Sequence, residues 1–110
     1  MSNHGWIGVD LDGTLAHYDT WRGPDHIGAP IPEMLAHVKK LLALGVHVKV
    51  FTARATIPEQ VPPIVAWLEA QGLGRLEVTN VKDFKMKLLY DDRAIQVVSN
   101  LGIRADGLPL

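Results

Sequence analysis

The sequence predicts an α/β domain, a central and mainly parallel sheet flanked by helices in three layers. Three observations carry that expectation. Short apolar runs recur along the chain, helical patterns separate the first of them, and acidic or hydroxyl residues stand where successive runs end. Trp6-Ile7-Gly8-Val9 is too short for a helix and enters the turn Asp10-Leu11-Asp12-Gly13 directly, so it reads as a buried strand. From about Gly13 to Pro30 the chain is rich in Tyr, Trp, His, Gly and Pro, which predicts a hairpin or flap lying over the sheet edge. Pro32 and Glu33 suit a first helical turn, and Leu35, Val38, Leu41 and Leu42 follow at helical spacing until Gly45. Val46, Val48 and Val50 alternate with His47, Lys49 and Phe51, giving a second strand that ends at Thr52-Ala53-Arg54. Pro58, Pro62 and Pro63 delay the next helix to about Pro62–Gln71, with Ile64, Val65 and Leu68 inward and Gly72 closing it. Leu76–Val81 reads as a third strand, Leu88–Tyr90 as a short fourth that delivers Asp91 and Asp92, and Ile95–Val98 as a candidate fifth before a tail from about 100 to 110.

At 110 residues the chain is expected to be one domain, 1–110, long enough for a modest core and too short for a second. A formal charge of −1 provides no global field for nucleic acid or an acidic membrane surface. The absence of cysteine rules out disulfides, a thiolate nucleophile and a Cys-type zinc site, and suits a reducing compartment. The start lacks the basic and long apolar segments of a signal peptide and no run approaches membrane-spanning length, so the expectation is a soluble, cytoplasmic protein.

Parallel sheets bind ligands at the carboxyl ends of their strands. On the predicted strands that edge carries Asp10 and Asp12, then Thr52, then Asn80 and Lys82, then Asp91 and Asp92. Two carboxylates one residue apart at a glycine turn can hold a hard divalent cation and offer a nucleophile to phosphorus. A calcium loop fails on spacing, because its twelfth position, counted from Asp10, is Trp21. Phosphoryl transfer needs positioning and positive charge, which Mg²⁺ and a lysine supply. A second carboxylate that is not a side-chain metal ligand can keep a proton and serve as general acid. Thr52 would donate its hydroxyl. Backbone amides after Asp10, at Gly13 and Thr14, would form an anion-binding nest, with Ala53, Arg54 and Lys85 as further substrate-binding candidates. Arg54 and Arg93 could bind phosphate, although surface pairing is the ordinary role of such residues. The five histidines (His4, His17, His26, His37 and His47) lack zinc spacing. Trp21 suits packing over the site more than stacking on a ring, and Trp67 suits core or interface.

Asp10 to Thr14 reads Asp-x-Asp-Gly-Thr, Val50-Phe51-Thr52 is a strand ending in Thr, and Tyr90-Asp91-Asp92-Arg93 is an acidic strand end. Together these residues resemble the haloacid dehalogenase superfamily, and the match extends across most of the chain. The resemblance implies a Rossmann-like fold and a Mg²⁺-dependent phosphomonoester hydrolase. It implies Asp10 as the nucleophile that forms an aspartyl-phosphate and Asp12 as the acid and then the base. Mg²⁺ would be held by the Asp10 carboxylate, the Asp12 backbone carbonyl and Asp92, with Asp91 as the alternative. Thr79 to Met86 is similar to a pattern of small members that places the catalytic lysine at Lys82, with Lys85 matching the spacing of other capless members. Neither Asp10–Thr52 nor Thr52–Lys82 has room for a cap domain, so an open site is expected, one that admits bulky phosphorylated substrates or depends on a partner subunit, as in a homo-oligomer, to exclude water. Asp91-Asp92-Arg93 is similar to the phosphatase half of polynucleotide kinase-phosphatases. That keeps a nucleotide or nucleic-acid end in play beside small phosphorylated molecules, although near-neutral charge offers no strand-binding groove. Two rivals belong to other classes. A phosphoacceptor signalling module would place its adjacent acid pair after the first strand and its lysine late, the reverse of the order here. A catalytically silent domain of the same fold would need none of these acids.

Overall fold

The structure, a computed structural model, describes residues 5–110, so His4 lies outside the described residues. Strands β1 (Trp6–Asp10), β2 (Val48–Phe51), β3 (Glu77–Thr79) and β4 (Met86–Tyr90) form one sheet in the order β3-β2-β1-β4. Every pairing is parallel, with Val9 opposite Val50 on one side and Tyr90 on the other, and Val50 opposite Val78. Helix α1 (Pro32–Ala43) joins β1 to β2 and α2 (Val61–Ala70) joins β2 to β3. Prolines sit in the first turn of each helix, where a missing N–H costs no intrahelical bond, and Gly45 and Gly72 follow the C-caps at φ 81° and 80°.

The core explains why the sheet takes this form. Val9, Val48 and Val50 point to the same face and are fully or nearly fully buried there against Val38 of α1 and Ile64 and Leu68 of α2. Leu11, Leu15 and Ala16, from the turn after β1, complete the same cluster, so burial anchors the loop that carries the acids. The layering therefore differs from the three layers expected. Both helices contribute to one cluster on one face. On the other face, Gly8 lies against Trp6, Met86 and Leu89, and the Lys49 ammonium sits 4.5 Å above the Trp6 ring. The indole N–H of Trp6 donates to Asp83 at 2.9 Å, which holds that carboxyl below its ordinary range.

Two expected strands change. β3 stops at Thr79, not Val81, and Val81 is exposed because no ladder continues there. Ile95–Val98 does not join the sheet. Val97 forms a single antiparallel bridge with Arg104, and the chain reverses through Asn100 and Gly102, both at positive φ. Residues 13–30 contain no named strand, but their ends are tied: Ala16 bridges Pro30, His17 N–H donates to Ala29 O at 2.8 Å, and Ile31 N–H to Leu15 O at 2.8 Å. Gly28 sits where any Cβ would collide with the His17 carbonyl, and its own carbonyl accepts the Trp67 indole N–H at 3.1 Å. Trp67 thus packs beside the core and pins this loop to α2.

No helix among the described residues is long and apolar enough to cross a membrane.

Candidate active site

The acids arrive by strand termination. β1 ends at Asp10 and β4 at Tyr90, and the two strands are hydrogen-bonded neighbours, so Asp10, Asp91 and Asp92 leave the same edge together. Each can offer a carboxylate oxygen such that all three lie within 4.8 Å of one another. Thr14 braces the group. Its hydroxyl oxygen lies 3.4 Å from Asp10 Oδ2 and 3.2 Å from Asp92 Oδ1, and accepts the Asp92 N–H at 3.0 Å. The burial of this hydroxyl keeps water from competing, while the backbone amides expected as an anion nest donate within the turn, Gly13 N–H to Ala16 O at 2.8 Å and Thr14 N–H to Leu11 O at 3.3 Å.

Gathering three carboxyls has an electrostatic cost. Burial first, then a carboxyl-to-carboxyl hydrogen bond with Asp92 and the charges of Asp91 and Asp92, raise Asp10 from 3.8 to about 7, with Thr14 opposing. A divalent cation would reverse that cost. The donor set suits Mg²⁺: hard carboxylate oxygens, few in number, at an edge open enough for retained waters. The Asp12 carbonyl, expected as a further ligand, accepts no hydrogen bond among the described residues, which leaves its lone pairs available.

Gly13 makes the approach possible. It stands at φ 91°, and a Cβ there would meet Asp92 Oδ2 at 2.5 Å, so its role is to let the turn pass beside the acid. Gly13→Ala is expected to destabilise the protein by about 1–3 kcal/mol and to weaken Mg²⁺ binding, since both backbone and Asp92 must shift. Urea unfolding and calorimetric Mg²⁺ titration measure the two effects, and an unchanged affinity would contradict this role.

Asp12 leaves the acid group and faces the other way. Both its oxygens accept from Arg54, at 2.8 Å from Nε and 2.8 Å from Nη2. Arg54 is 6% exposed, donates from Nη1 to Pro24 O at 3.4 Å, and lies 4.9 Å from the centre of the Trp21 ring. This is where sequence reasoning fell short. Arg54 is no surface charge, and Trp21 covers Arg54. Only the pairing of Asp12 with a residue 42 positions away could have revealed it, and no local pattern encodes that.

Thr52 follows β2, is almost fully buried, and its hydroxyl accepts the Arg54 N–H at 3.2 Å as the cap of the short 3₁₀ turn Ala53–Thr56. A cleft of about 930 Å³ brings Thr52, Ala53 and Arg54 together with Asp10, Asp12, Asp91, Asp92 and Arg93. Tyr18, Trp21 and Asn80 form more of its wall, Asn80 being held by the Thr56 hydroxyl at 2.9 Å.

Lys82 and Lys85, expected at the site, stand on the segment between β3 and β4. Both are exposed and neither lines the cleft. β3 ends two residues early, so Asn80 occupies the edge and the chain turns away through Asp83, whose carboxylate holds Lys85 N–H at 2.9 Å.

No family model matches the chain, and no curated protein matches it. A solved structure described as that of a conserved protein coded by a locus from Bacteroides thetaiotaomicron is similar at 27% identity and a TM-score of 0.62, covering 82% of this chain and 77% of that one. The likeness supports the α/β architecture, and its description names no activity.

Proposed function

We propose that the protein is a Mg²⁺-dependent phosphohydrolase acting on a phosphomonoester through an aspartyl-phosphate on Asp10, a small capless member of the haloacid dehalogenase type with residues 13–30 as its flap. The observation that carries this is the convergence of Asp10, Asp91 and Asp92 within 4.8 Å at one end of a parallel sheet. Thr52 and two arginines share their cleft.

Asp10, Asp92 or Asp91 and the Asp12 carbonyl would hold Mg²⁺, which supplies charge against the phosphoryl oxygens and keeps Asp10 ionised. An Asp10 oxygen attacks phosphorus, the bond to the leaving oxygen breaks, and Asp12 gives that oxygen its proton. Asp12 then takes a proton from water as the water attacks the phosphorus of the acyl phosphate, releasing inorganic phosphate and restoring Asp10. Thr52 donates its hydroxyl to a phosphoryl oxygen. The wide cleft suits a phosphorylated small molecule or a nucleotide as partner, and with no cap above it, a second copy of the chain in a homo-oligomer is one way to exclude water.

Phosphate release from a broad phosphomonoester panel, with Mg²⁺ and with a chelator, tests the proposal. Mg²⁺-dependent turnover of some ester is expected, and no turnover of any ester contradicts it.

The raised Asp10 also sets a pH dependence. Its folded value of about 7 exceeds the ordinary 3.8, so the folded state binds the extra proton. That contribution to stability is intact below about 3.8, declines as pH rises, and is lost above about 7. The metal-free protein should therefore melt lower at pH 8 than at pH 6, and Mg²⁺ should raise the melting temperature more at pH 8. Scanning calorimetry at the two values checks this, and an equal Mg²⁺ effect at both would contradict it.

A further inference from the structure

We propose that Arg54 is the phosphoryl-binding cation of the cleft, held on Asp12 in this structure and transferred to the phosphoryl oxygens when substrate binds. The proposal deepens the phosphohydrolase reading and rests on it. Of the basic residues considered for the site, Lys82 and Lys85 lie outside the cleft and Arg93 is exposed at its rim, whereas Arg54 is buried and lines it. Arg54 also lines a second cavity of about 210 Å³ bordered by residues of the 17–29 segment, and it shares both linings with Asp12 and Tyr18.

Its hydrogen bonding leaves room for a ligand. A guanidinium has five N–H donors, and among the described residues Asp12 and Pro24 O take three of them. The backbone is fixed by the Arg54 N–H bond to Thr52, and the ring of Trp21 lies against the guanidinium. A phosphoryl dianion presents three strong acceptors in the geometry a guanidinium fork matches, so the exchange replaces one charge-assisted pair by another.

The exchange also answers a difficulty in the mechanism. A carboxylate whose two oxygens both accept from Arg54 has half of its four lone-pair sites taken and is held facing the guanidinium. Moving Arg54 onto the phosphoryl group frees Asp12 at the moment the acid is needed. Binding and acid function are thereby coupled through one side chain.

The test is calorimetric titration of inorganic phosphate, in the presence of Mg²⁺, into wild type, Arg54→Ala and Arg54→Lys. Loss of charge-assisted bonds should raise the dissociation constant about tenfold or more in Arg54→Ala, with partial recovery in Arg54→Lys, which keeps a point charge but not the fork. A residue that merely orients Asp12 would lower kcat and leave phosphate affinity unchanged, and that outcome overturns the proposal. Should Arg54→Ala not fold, the Arg54 Nε–H resonance of wild type decides: it should shift on saturation with phosphate, and an unmoved signal overturns the proposal equally. Phosphate binding needs no turnover. Normal Asp10-dependent hydrolysis with Arg54-independent phosphate affinity would remove this inference alone, whereas an inactive wild type would remove the enzymatic reading.

Discussion

Asp10→Asn is expected to reduce phosphate release by at least about 10⁴-fold while the protein remains folded. An amide is a poor nucleophile and a weaker ligand for a hard cation, so both the covalent step and Mg²⁺ binding suffer together. The same substitution should stabilise the metal-free protein above pH 7. Asp10 is raised to about 7 by burial and by its acidic neighbours, so its ionised form is a cost that the neutral amide removes. Loss of activity joined to a higher melting temperature at pH 8 separates removal of a functional group from general damage. Turnover by the purified variant above a buffer control would sink the covalent mechanism.

Asp12→Asn should divide the two carboxylates by role. General acid–base assistance is worth about 10²- to 10⁴-fold, and a rate loss of that size is expected for leaving groups that need a proton. Mg²⁺ affinity should change less, because the side chain faces Arg54 and stands outside the acid group that can hold a cation. Stability should fall as well, since Arg54 would be left buried without a carboxylate partner. Calorimetry that finds Mg²⁺ binding abolished would make Asp12 a side-chain ligand and contradict the assignment.

Much of this arrangement is local and was legible in the sequence. The run Trp6–Val9 meeting Asp10 could only be a buried strand delivering an acid, and Pro32, Gly45 and Gly72 mark helix ends by the backbone angles they impose or prefer. Tyr90-Asp91-Asp92 was legible for the same reason as Asp10. What escaped depends on distant contacts. Val81 has the character of a strand residue, but a strand continues only where a neighbour supplies a ladder, and none does beyond Thr79. Lys82 therefore stands two residues farther from the strand end than a strand reaching Val81 would place it. Ile95, Val97, Leu101 and Ile103 are apolar yet exposed, so hydrophobicity alone misassigned a fifth strand. Arg54 was read by its position near a strand end, whereas its burial follows from Asp12 and from Pro24 and Trp21, which the loop 13–30 brings back over it.

The covalent intermediate is the most direct test of the central claim. An aryl or acyl phosphate, whose leaving group departs without a proton, should phosphorylate Asp12→Asn and leave the adduct in place, because the base that activates water is gone. Acid-quenched intact-protein mass spectrometry should then find one added phosphoryl group, formed only with Mg²⁺, mapping to the peptide that contains Asp10 and absent from the Asp10→Asn variant. Substrate turnover with no adduct at Asp10, or an adduct that persists in Asp10→Asn, would contradict the account.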